Sequence, residues 1–204
     1  MFLQGRDDIE IEPAPPQAAA ALTETKRVLQ VPNIDQEQDT WCYAACAEMV
    51  FSYYQTETDN RPIRQCDVVR SIRNGADCCG AQPDDACINT GCQPEEIVTI
   101  YNNFGLSATS RQGQLSFDEV KIEINRGSPV EVCIQWGDPN NTGLFSAHVV
   151  IIKGWIQSSV GRFLRILDPL RTGGFGGRVS FEQLQLGFSQ GTWKFTFGGF
   201  PNQP

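Results

Sequence analysis

Four side chains in this 204-residue chain could together cleave an acyl bond by nucleophilic attack. Cys42 lies in the stretch DTWCYAAC, and the only histidine of the chain, His148, lies in SAHVVIIKGW. Asp168 follows in RILDP, and Gln36 precedes the cysteine by six residues. A thiolate nucleophile needs a base, a group that orients the base, and a donor that stabilises the oxyanion. These four residue types meet those needs.

Each of these residues also has an ordinary structural interpretation. A lone histidine on an apolar strand is more often a satisfied core residue, and a cysteine that opens a buried helix is more often a packing residue or half of a disulfide. Those interpretations must account for four residues at once, in an order compatible with one site. The catalytic interpretation is therefore the stronger one. Gln38, four residues before the cysteine, is a weaker candidate for the oxyanion donor.

The cysteine stands at the predicted start of a buried helix. Residues 42–55 contain no Gly or Pro and are apolar around most of the helical circumference, which indicates a helix inside the core rather than on the surface. Asp39 and Thr40 are residue types that cap helix N-termini. Such an N-terminus favours a negative charge, and therefore a thiolate. Three more helices are predicted at 65–73, 93–103 and 116–126.

After Pro129 the pattern changes from helices to strands. Short segments rich in β-branched and aromatic residues alternate with Gly, Pro and Asn, which is typical of antiparallel strands. His148 would project from one face of such a strand. A hairpin near Ser158–Gly161 would return the chain so that Asp168 comes close to the histidine. Helices first and strands afterwards predict an α+β protein.

The order of these motifs resembles that of the papain-like cysteine peptidases. QEQDTWCYAAC and HVVIIKGW…RILDP are similar to the motifs of a bacterial branch that includes the C39-like and AvrRpt2-like peptidases, with Tyr43 where that branch often has Trp. The resemblance extends over roughly residues 31–200. It implies a two-lobed fold in which a helical lobe, at about 31–128, packs on an antiparallel β-sheet or barrel lobe, at about 129–204.

The resemblance also implies roles for the four residues in a cleft between the lobes. Cys42 would be the nucleophile and His148 the general base and acid. Asp168 would orient the histidine, and Gln36 would donate to the oxyanion. No cofactor is expected for this chemistry, and the expected partner is a protein or peptide substrate.

Three functions are compatible with this set of residues. The first is a thiol peptidase that hydrolyses peptide bonds through an acyl-enzyme on Cys42. The second is a deamidase or a transglutaminase-type acyl transferase, acting as a toxin or effector, because only the acyl acceptor would differ. The third is a catalytically silent binding domain stapled by disulfides.

The other cysteines predict a stapled helical lobe. Cys133 alternates with Val132 and Ile134 inside a predicted strand and is expected to be a free thiol. The remaining six form an even number that suits three disulfides, in a connectivity that the sequence does not determine; they are Cys46, Cys66, Cys78, Cys79, Cys87 and Cys92. Zinc is the alternative, but the paired C-x₂-C knuckles of structural zinc sites are missing, so no metal is expected.

Composition restricts the partners. A net charge of −8 and a pI near 4.7 argue against nucleic acid, whose phosphates require clustered Lys and Arg. No basic cluster would hold the chain on an anionic membrane, and no apolar run is long enough to cross one. The oligomeric state is left open.

The first 30 residues differ in composition from the remainder. Their prolines and alanines suggest an arm, a linker or a propeptide, and the resemblance implies that residues 1–30 could block the cleft as an autoinhibitory segment. They lack the basic and apolar regions of a Sec signal peptide. Eight cysteines favour an exported or oxidising location, with the cytoplasm as the alternative.

Overall fold

A computed structural model of the chain describes residues 24–136, 146–170, 176–189 and 191–201. The five α-helices are α1 (Cys42–Tyr54), α2 (Gln65–Ser71), α3 (Pro94–Asn103), α4 (Phe117–Asn125) and α5 (Phe181–Gln185). The nine strands are β1 (Thr25–Val28), β2 (Glu57–Thr58), β3 (Arg61–Pro62), β4 (Thr109–Gln112), β5 (Val130–Trp136), β6 (Ser146–Ser158), β7 (Gly161–Leu167), β8 (Gly177–Ser180) and β9 (Gly191–Gly198).

Seven of the strands form one antiparallel sheet. Its order is β4-β9-β5-β6-β7-β8, and β1 pairs with β6 outside that path. The first five residues of β5 are all buried, so this strand lies inside the core. The predicted α+β class and papain-like two-lobed arrangement are confirmed, although β4 comes from the part of the chain that the sequence assigned to the helical lobe. No helix among the described residues has the length and apolarity needed to cross a membrane.

Helix α1 passes through the core, as its sequence predicted. Nine of its thirteen residues are buried, and it packs on α2 and β6. Cys46, one turn after Cys42, donates its thiol hydrogen to the carbonyl of Val149 in β6, at 3.4 Å. The start of the helix differs from the expectation: Trp41, rather than Asp39 or Thr40, is the N-cap residue, and it provides no side-chain cap.

Helices α4 and α5 cover another part of the sheet. Helix α4 packs on β1, β5 and β6, and α5 packs on β7, β8 and β9. The Phe117 and Phe181 rings meet edge to face at 5.5 Å and join the two helices. The predicted capping box of α4 is confirmed, because the Ser116 hydroxyl accepts from the Glu119 amide while the Glu119 carboxylate accepts from the Ser116 amide.

The boundary of the N-terminal arm is not at residue 30. β1 pairs in register with β6 from Thr25↔Gln157 to Val28↔Gly154, so these residues belong to the sheet. A Cβ atom on Gly154 would lie 2.7 Å from the carbonyl oxygen of Arg27, which shows why glycine is needed where the strands meet. Blocking of the cleft was predicted for residues 1–30, of which residues 1–23 lie outside the described residues.

The cysteine prediction was partly wrong. The structure has two disulfides, Cys66–Cys79 and Cys78–Cys87, instead of three. Cys46 and Cys92 are free, and so is Cys133 as expected. Cys46 faces β6 from inside the core, and the Cys92 thiol contacts the carbonyl of Gln93 at 3.1 Å. The even number of remaining cysteines suggested a third disulfide, but the thiols of Cys46 and Cys92 have separate surroundings.

Candidate active site

Cys42 lies at the wall of a cleft with a volume of about 530 Å³. It is the first residue of α1, and only 9% of its surface is exposed. The first N–H groups of a helix have no partner inside the helix, and α1 has no side-chain cap to take them up. The thiol therefore stands beside backbone N–H groups at the start of α1 that no side-chain cap takes up.

His148 and Asp168 approach Cys42 from the sheet. His148 lies in β6, opposite Ile134 of β5, and Asp168 directly follows the last residue of β7. The expected hairpin is present, with Ser158 paired to Gly161. The His148 Nε2 and Asp168 Oδ1 atoms are 2.7 Å apart, and His148 and Cys42 line the same cleft, close enough for Cys42 to raise the pKa of the ring. Since Nε2 is used by the aspartate, Nδ1 is the nitrogen that serves the thiol.

The surroundings of His148 favour its protonated form. Burial opposes protonation, but the interactions with Asp168 and Cys42 outweigh burial and raise the pKa of His148 to about 9. Asp168 itself is fixed, because its Oδ1 also accepts the Leu170 amide hydrogen at 2.9 Å. The side chains of the histidine and the aspartate are only 5% and 1% exposed. The pair can therefore hold a proton within the cleft, away from bulk water.

Trp136 is a site residue that the sequence reasoning missed. Its ring stacks on the His148 ring with centroids 5.5 Å apart and planes 15° apart. Trp136 is the last residue of β5 and pairs with Ser146 of β6. His148 lies two positions further along β6, so both residues lie on the same side of the sheet. The sequence offered one signal for this residue: an aromatic side chain ends the predicted strand that precedes the histidine, in the segment CIQW. The stacked ring limits how far the imidazole can rotate.

Gln36 lies in the loop before α1, but its amide hydrogens are already in use. Nε2 donates to the carbonyls of Gln38 and Asp39 at 2.9 and 2.8 Å. Its backbone amide donates to Pro169, next to Asp168, at 2.9 Å. The Oε1 atom is buried without a hydrogen bond in the described part of the chain. In this conformation Gln36 ties the loop to the aspartate segment, and it has no spare hydrogen for an oxyanion.

Gln38, the weaker candidate, is also engaged. Its Oε1 accepts the Asn89 amide hydrogen at 2.7 Å, on the outside of the loop. Neither glutamine is among the residues that line the cleft around Cys42. The wall is instead formed mostly by apolar side chains and by two further free thiols, those of Cys92 and Cys133.

Metal binding finds little support in the side-chain geometry. Within the described residues, the single group of three close cysteine, histidine or acidic ligands is Cys66, Asp67 and Cys79. The two sulfurs are joined in a disulfide and are not thiolates. The carboxylate of Asp67 forms a two-point ion pair with Arg61, at 2.5 and 2.7 Å. These contacts use the groups that a zinc ion would need.

The comparison that decides the family is the match of a family model, the Peptidase_C39 like family, to residues 28–190. The chain belongs to the C39-like peptidases. A search of the curated proteins returned no significant match. The family assignment covers most of the chain, including the segments that contain Cys42, His148 and Asp168.

Solved structures share the fold of this C39-like chain. One, assigned as a C39-like peptidase from Bacillus anthracis, has a TM-score of 0.58 at 16% identity, over 87% of this chain and 99% of that one. Another is a double-glycine-motif protease from an AMS/PCAT transporter in complex with the leader peptide; its TM-score is 0.50 at 19% identity, over 86% and 95%. At these identities the likeness concerns the fold alone.

Proposed function

We propose that this C39-like chain is a thiol peptidase that hydrolyses peptide bonds through an acyl-enzyme on Cys42. The observation that carries the proposal is the position of His148, which is hydrogen-bonded to the buried Asp168 carboxylate and lines the same cleft as Cys42. Nucleophile, base and orienting acid are the three groups that nucleophilic acyl transfer requires. Membership of a peptidase family supports the same reaction.

The first half of the reaction forms the acyl-enzyme. The Cys42 proton passes to Nδ1 of His148, and the sulfur attacks the carbonyl carbon of the substrate. The C–N bond then breaks, and the imidazolium gives its proton to the leaving amine. Asp168 accepts a hydrogen bond from Nε2 throughout and keeps the ring oriented. The products are a free amine and a thioester on Cys42.

The second half releases the acyl group. His148 takes a proton from water, the resulting hydroxide attacks the thioester, and the proton returns to the Cys42 sulfur as the carboxylic acid departs. Deamidation or transfer would pass through the same thioester and would differ in the leaving group or the acceptor. Hydrolysis is preferred because the family is one of peptidases.

The oxyanion is assigned to backbone donors at the start of α1. The Cys42 amide has no acceptor within the helix and no side-chain cap beside it. Gln36 could add a second donor only by releasing the carbonyl of Gln38 or Asp39. In the conformation observed, its contribution is to hold the loop that leads to the nucleophile.

The expected substrate is an extended peptide. The cleft is lined mainly by apolar groups, and its wall also includes the Asp39 carboxylate. The similar double-glycine-motif protease was solved with a leader peptide bound, which supports a peptide as the ligand of this fold. The residues that line the cleft would then determine which peptide lengths and sequences bind.

The test combines labelling with cleavage. The parent protein is treated with the thiol-directed epoxide E-64 and mapped by mass spectrometry, and a diverse peptide mixture is incubated with it and read by sequencing of new termini. We expect modification at Cys42 and new N-termini in the peptide mixture. Cys42→Ala should lose both signals, because it removes the thiol that begins α1 and shares the cleft with His148.

Cys46→Ala is the matched control. It also removes a thiol from α1, one turn along, but this thiol is fully buried and faces β6. It should retain labelling and cleavage. Cleavage by Cys42→Ala at the parent rate would contradict the proposal, and ammonia release from Gln-containing peptides without new termini would favour the deamidase instead.

A further inference from the structure

The loop before the nucleophile has no helix or strand over residues 29–41, yet it is held at successive positions. The first clamp is Gln65, the first residue of α2, which is 1% exposed. Its Nε2 donates to the carbonyl of Asp35 at 2.9 Å, and its Oε1 accepts from the amide of Glu37 at 2.8 Å. One side-chain amide thus bonds the backbone on both sides of Gln36.

The second clamp is Asn89. Its side-chain Oδ1 accepts from the backbone amide of Asp39 at 3.1 Å, and its backbone amide donates to Gln38 Oε1 at 2.7 Å. Its φ angle of 47° lies in the left-handed region, where asparagine is one of the few non-glycine residues that fit readily. The backbone of Asn89 is turned so that both groups reach the loop at once.

The two disulfides join the two clamps covalently. Gln65 adjoins Cys66, which is bonded to Cys79; Cys78 is bonded to Cys87, which precedes Asn89 by two residues. The path from one clamp to the other therefore passes through two cystines and the single peptide bond between Cys78 and Cys79. Without them, 23 residues of chain would separate Gln65 from Asn89.

The same stapled segment holds the residues on both sides of the nucleophile. The Trp41 indole donates to the carbonyl of Cys87 at 3.1 Å, and the Tyr43 hydroxyl donates to the carbonyl of Thr90 at 3.3 Å. Both side chains are buried. Cys42 is thus held by its two neighbours as well as by the loop that precedes it.

We propose that Gln65 and Asn89 are positioning residues for Cys42, and that the cystines Cys66–Cys79 and Cys78–Cys87 form a covalent frame that fixes the spacing between these two clamps. For turnover this proposal rests on the proposed peptidase function. The frame sets the position of the loop and of the helix start, and so of the sulfur relative to His148. A misplacement of ~1 Å in such a site costs up to 10²-fold in rate.

The frame gives the protein two opposite redox requirements. Cys42 acts as a thiol, whereas the frame acts only when its four sulfurs are oxidised. A dithiol reductant would open each cystine by exchange: two S–H groups form on the protein, and the reductant leaves as its own cyclic disulfide. Cys79 is the most exposed cysteine residue of the frame, so Cys66–Cys79 should open first.

The experiment compares variants that open the frame at different points. Cys66→Ser/Cys79→Ser opens one cystine, and Gln65→Ala and Asn89→Gly remove one clamp each; glycine keeps the positive φ of Asn89 accessible. For each we measure kcat and KM, the rate of E-64 labelling at Cys42, and amide exchange at Glu37 and Asp39. We expect kcat and labelling to fall roughly 10-fold, with KM within about 2-fold, since ground-state binding is unchanged.

Two variants control for the loss of an amide side chain. The Gln183 side chain also accepts a backbone amide hydrogen, that of Ser180 at 2.9 Å at the start of α5, and Asn60 also has a positive φ, 58°, in the β2–β3 turn. Gln183→Ala and Asn60→Gly should leave kcat, labelling and exchange at Glu37 and Asp39 at parent values.

The outcomes separate this proposal from the peptidase proposal. Faster amide exchange at Glu37 and Asp39 together with slower labelling of Cys42 would support the frame. This holds even if the parent protein cleaves no peptide, because the absence of cleavage would count only against the peptidase proposal. Parent labelling, kcat and exchange in a folded Cys66→Ser/Cys79→Ser protein would overturn the frame. If that protein does not fold, parent values in both Gln65→Ala and Asn89→Gly would overturn the positioning roles.

Discussion

The two halves of the candidate site are held in place by different means. His148 and Asp168 lie on and beside strands of the sheet, and the backbone ladders of β5, β6 and β7 fix their spacing. Cys42 begins a regular helix, but the loop that leads to it is fixed by side-chain amides and two cystines. A ladder of backbone bonds tolerates the loss of one side chain, whereas a clamp made by one side chain does not.

The comparison predicts different consequences for mutations in the two halves. On the sheet half, a substitution removes a chemical group and leaves its neighbours in place. On the loop half, a substitution leaves every chemical group present and moves the nucleophile. The first kind changes pH dependence or abolishes proton transfer, and the second lowers kcat without changing the pH profile.

On the sheet half, the largest effect is expected for His148→Ala. Loss of a general base and acid costs typically ~10²–10⁴ in rate, and here it removes the ring that interacts with both Cys42 and Asp168. The fold should survive, because the ladder between β5 and β6 uses backbone atoms. Steady-state kinetics would measure the loss of rate, and circular dichroism would check that the fold is retained. A variant that retains parent activity would show that the sheet half does not supply the base.

Asp168→Asn should have a smaller effect with a distinctive pH signature. Burial lowers the pKa of His148, and the interactions with Asp168 and Cys42 raise it to about 9, so the basic limb of the parent rate profile should lie near that pH. Removing the charge of Asp168 removes part of the upward shift, so the limb should move to lower pH. We expect the maximal rate to fall roughly 10–100-fold, because asparagine can still accept from the ring.

A pH profile of the parent and of Asp168→Asn on one peptide measures this shift. Asn89→Gly serves as the contrasting variant from the loop half, with a lower rate and an unmoved limb. A basic limb that stays in place when Asp168 becomes asparagine would show that the aspartate does not stabilise the imidazolium.

Gln36→Ala tests whether the Gln36 side chain donates a hydrogen bond to the oxyanion or only holds the loop in place. Both hydrogens of its amide are bound to carbonyls, so we expect a loss of about 10-fold, comparable with the loss of one positioning contact. A direct oxyanion donor would cost ~10²–10³ in kcat. A loss in that larger range would mean that substrate draws the amide away from Gln38 or Asp39, and that the loop half takes part in the chemistry.

The sequence predicted the sheet half better than the loop half, for a physical reason. The alternation around His148 and the turn near Ser158–Gly161 follow from local preferences, so the strand pairing could be inferred. Helices α1 to α4 were likewise visible from apolar spacing and from caps such as Ser116. Local patterns of this kind repeat along an element and do not depend on a distant partner.

The contacts of the loop half had no such pattern. Gln65 and Asn89 meet residues 28 and 50 positions away, respectively, and neither is distinctive as a residue type. The even number of cysteines suggested that Cys46 and Cys92 each belong to a disulfide, in a connectivity left open, but the structure has both as free thiols. β1 lies within residues 1–30, which were assigned to an arm from their composition; three of its four residues are exposed, so the strand has no buried apolar pattern to indicate it.

The smallest effect on activity, with a clear effect on stability, is expected at Glu131. This carboxyl group is fully buried in β5, and burial raises its pKa to about 8, although the hydrogen bond from Tyr101 lowers it. A carboxyl group with a raised pKa binds more protons in the folded state than in the unfolded state. Stability is therefore lost as pH rises from the unfolded value, near ~4.3, through about 8.

Glu131→Gln removes that ionisation and keeps an oxygen that can accept from Tyr101. We expect the variant to lose less stability than the parent between pH 5 and pH 8, as measured by urea unfolding, while kcat at pH 7 stays within about 2-fold because the side chain is no part of the cleft wall. His148 adds a slope of the same sign, since its pKa is also raised, so a residual decline toward pH 9 should remain in Glu131→Gln. Equal slopes in parent and variant from pH 5 to pH 8 would show that Glu131 does not hold its proton in the folded sheet.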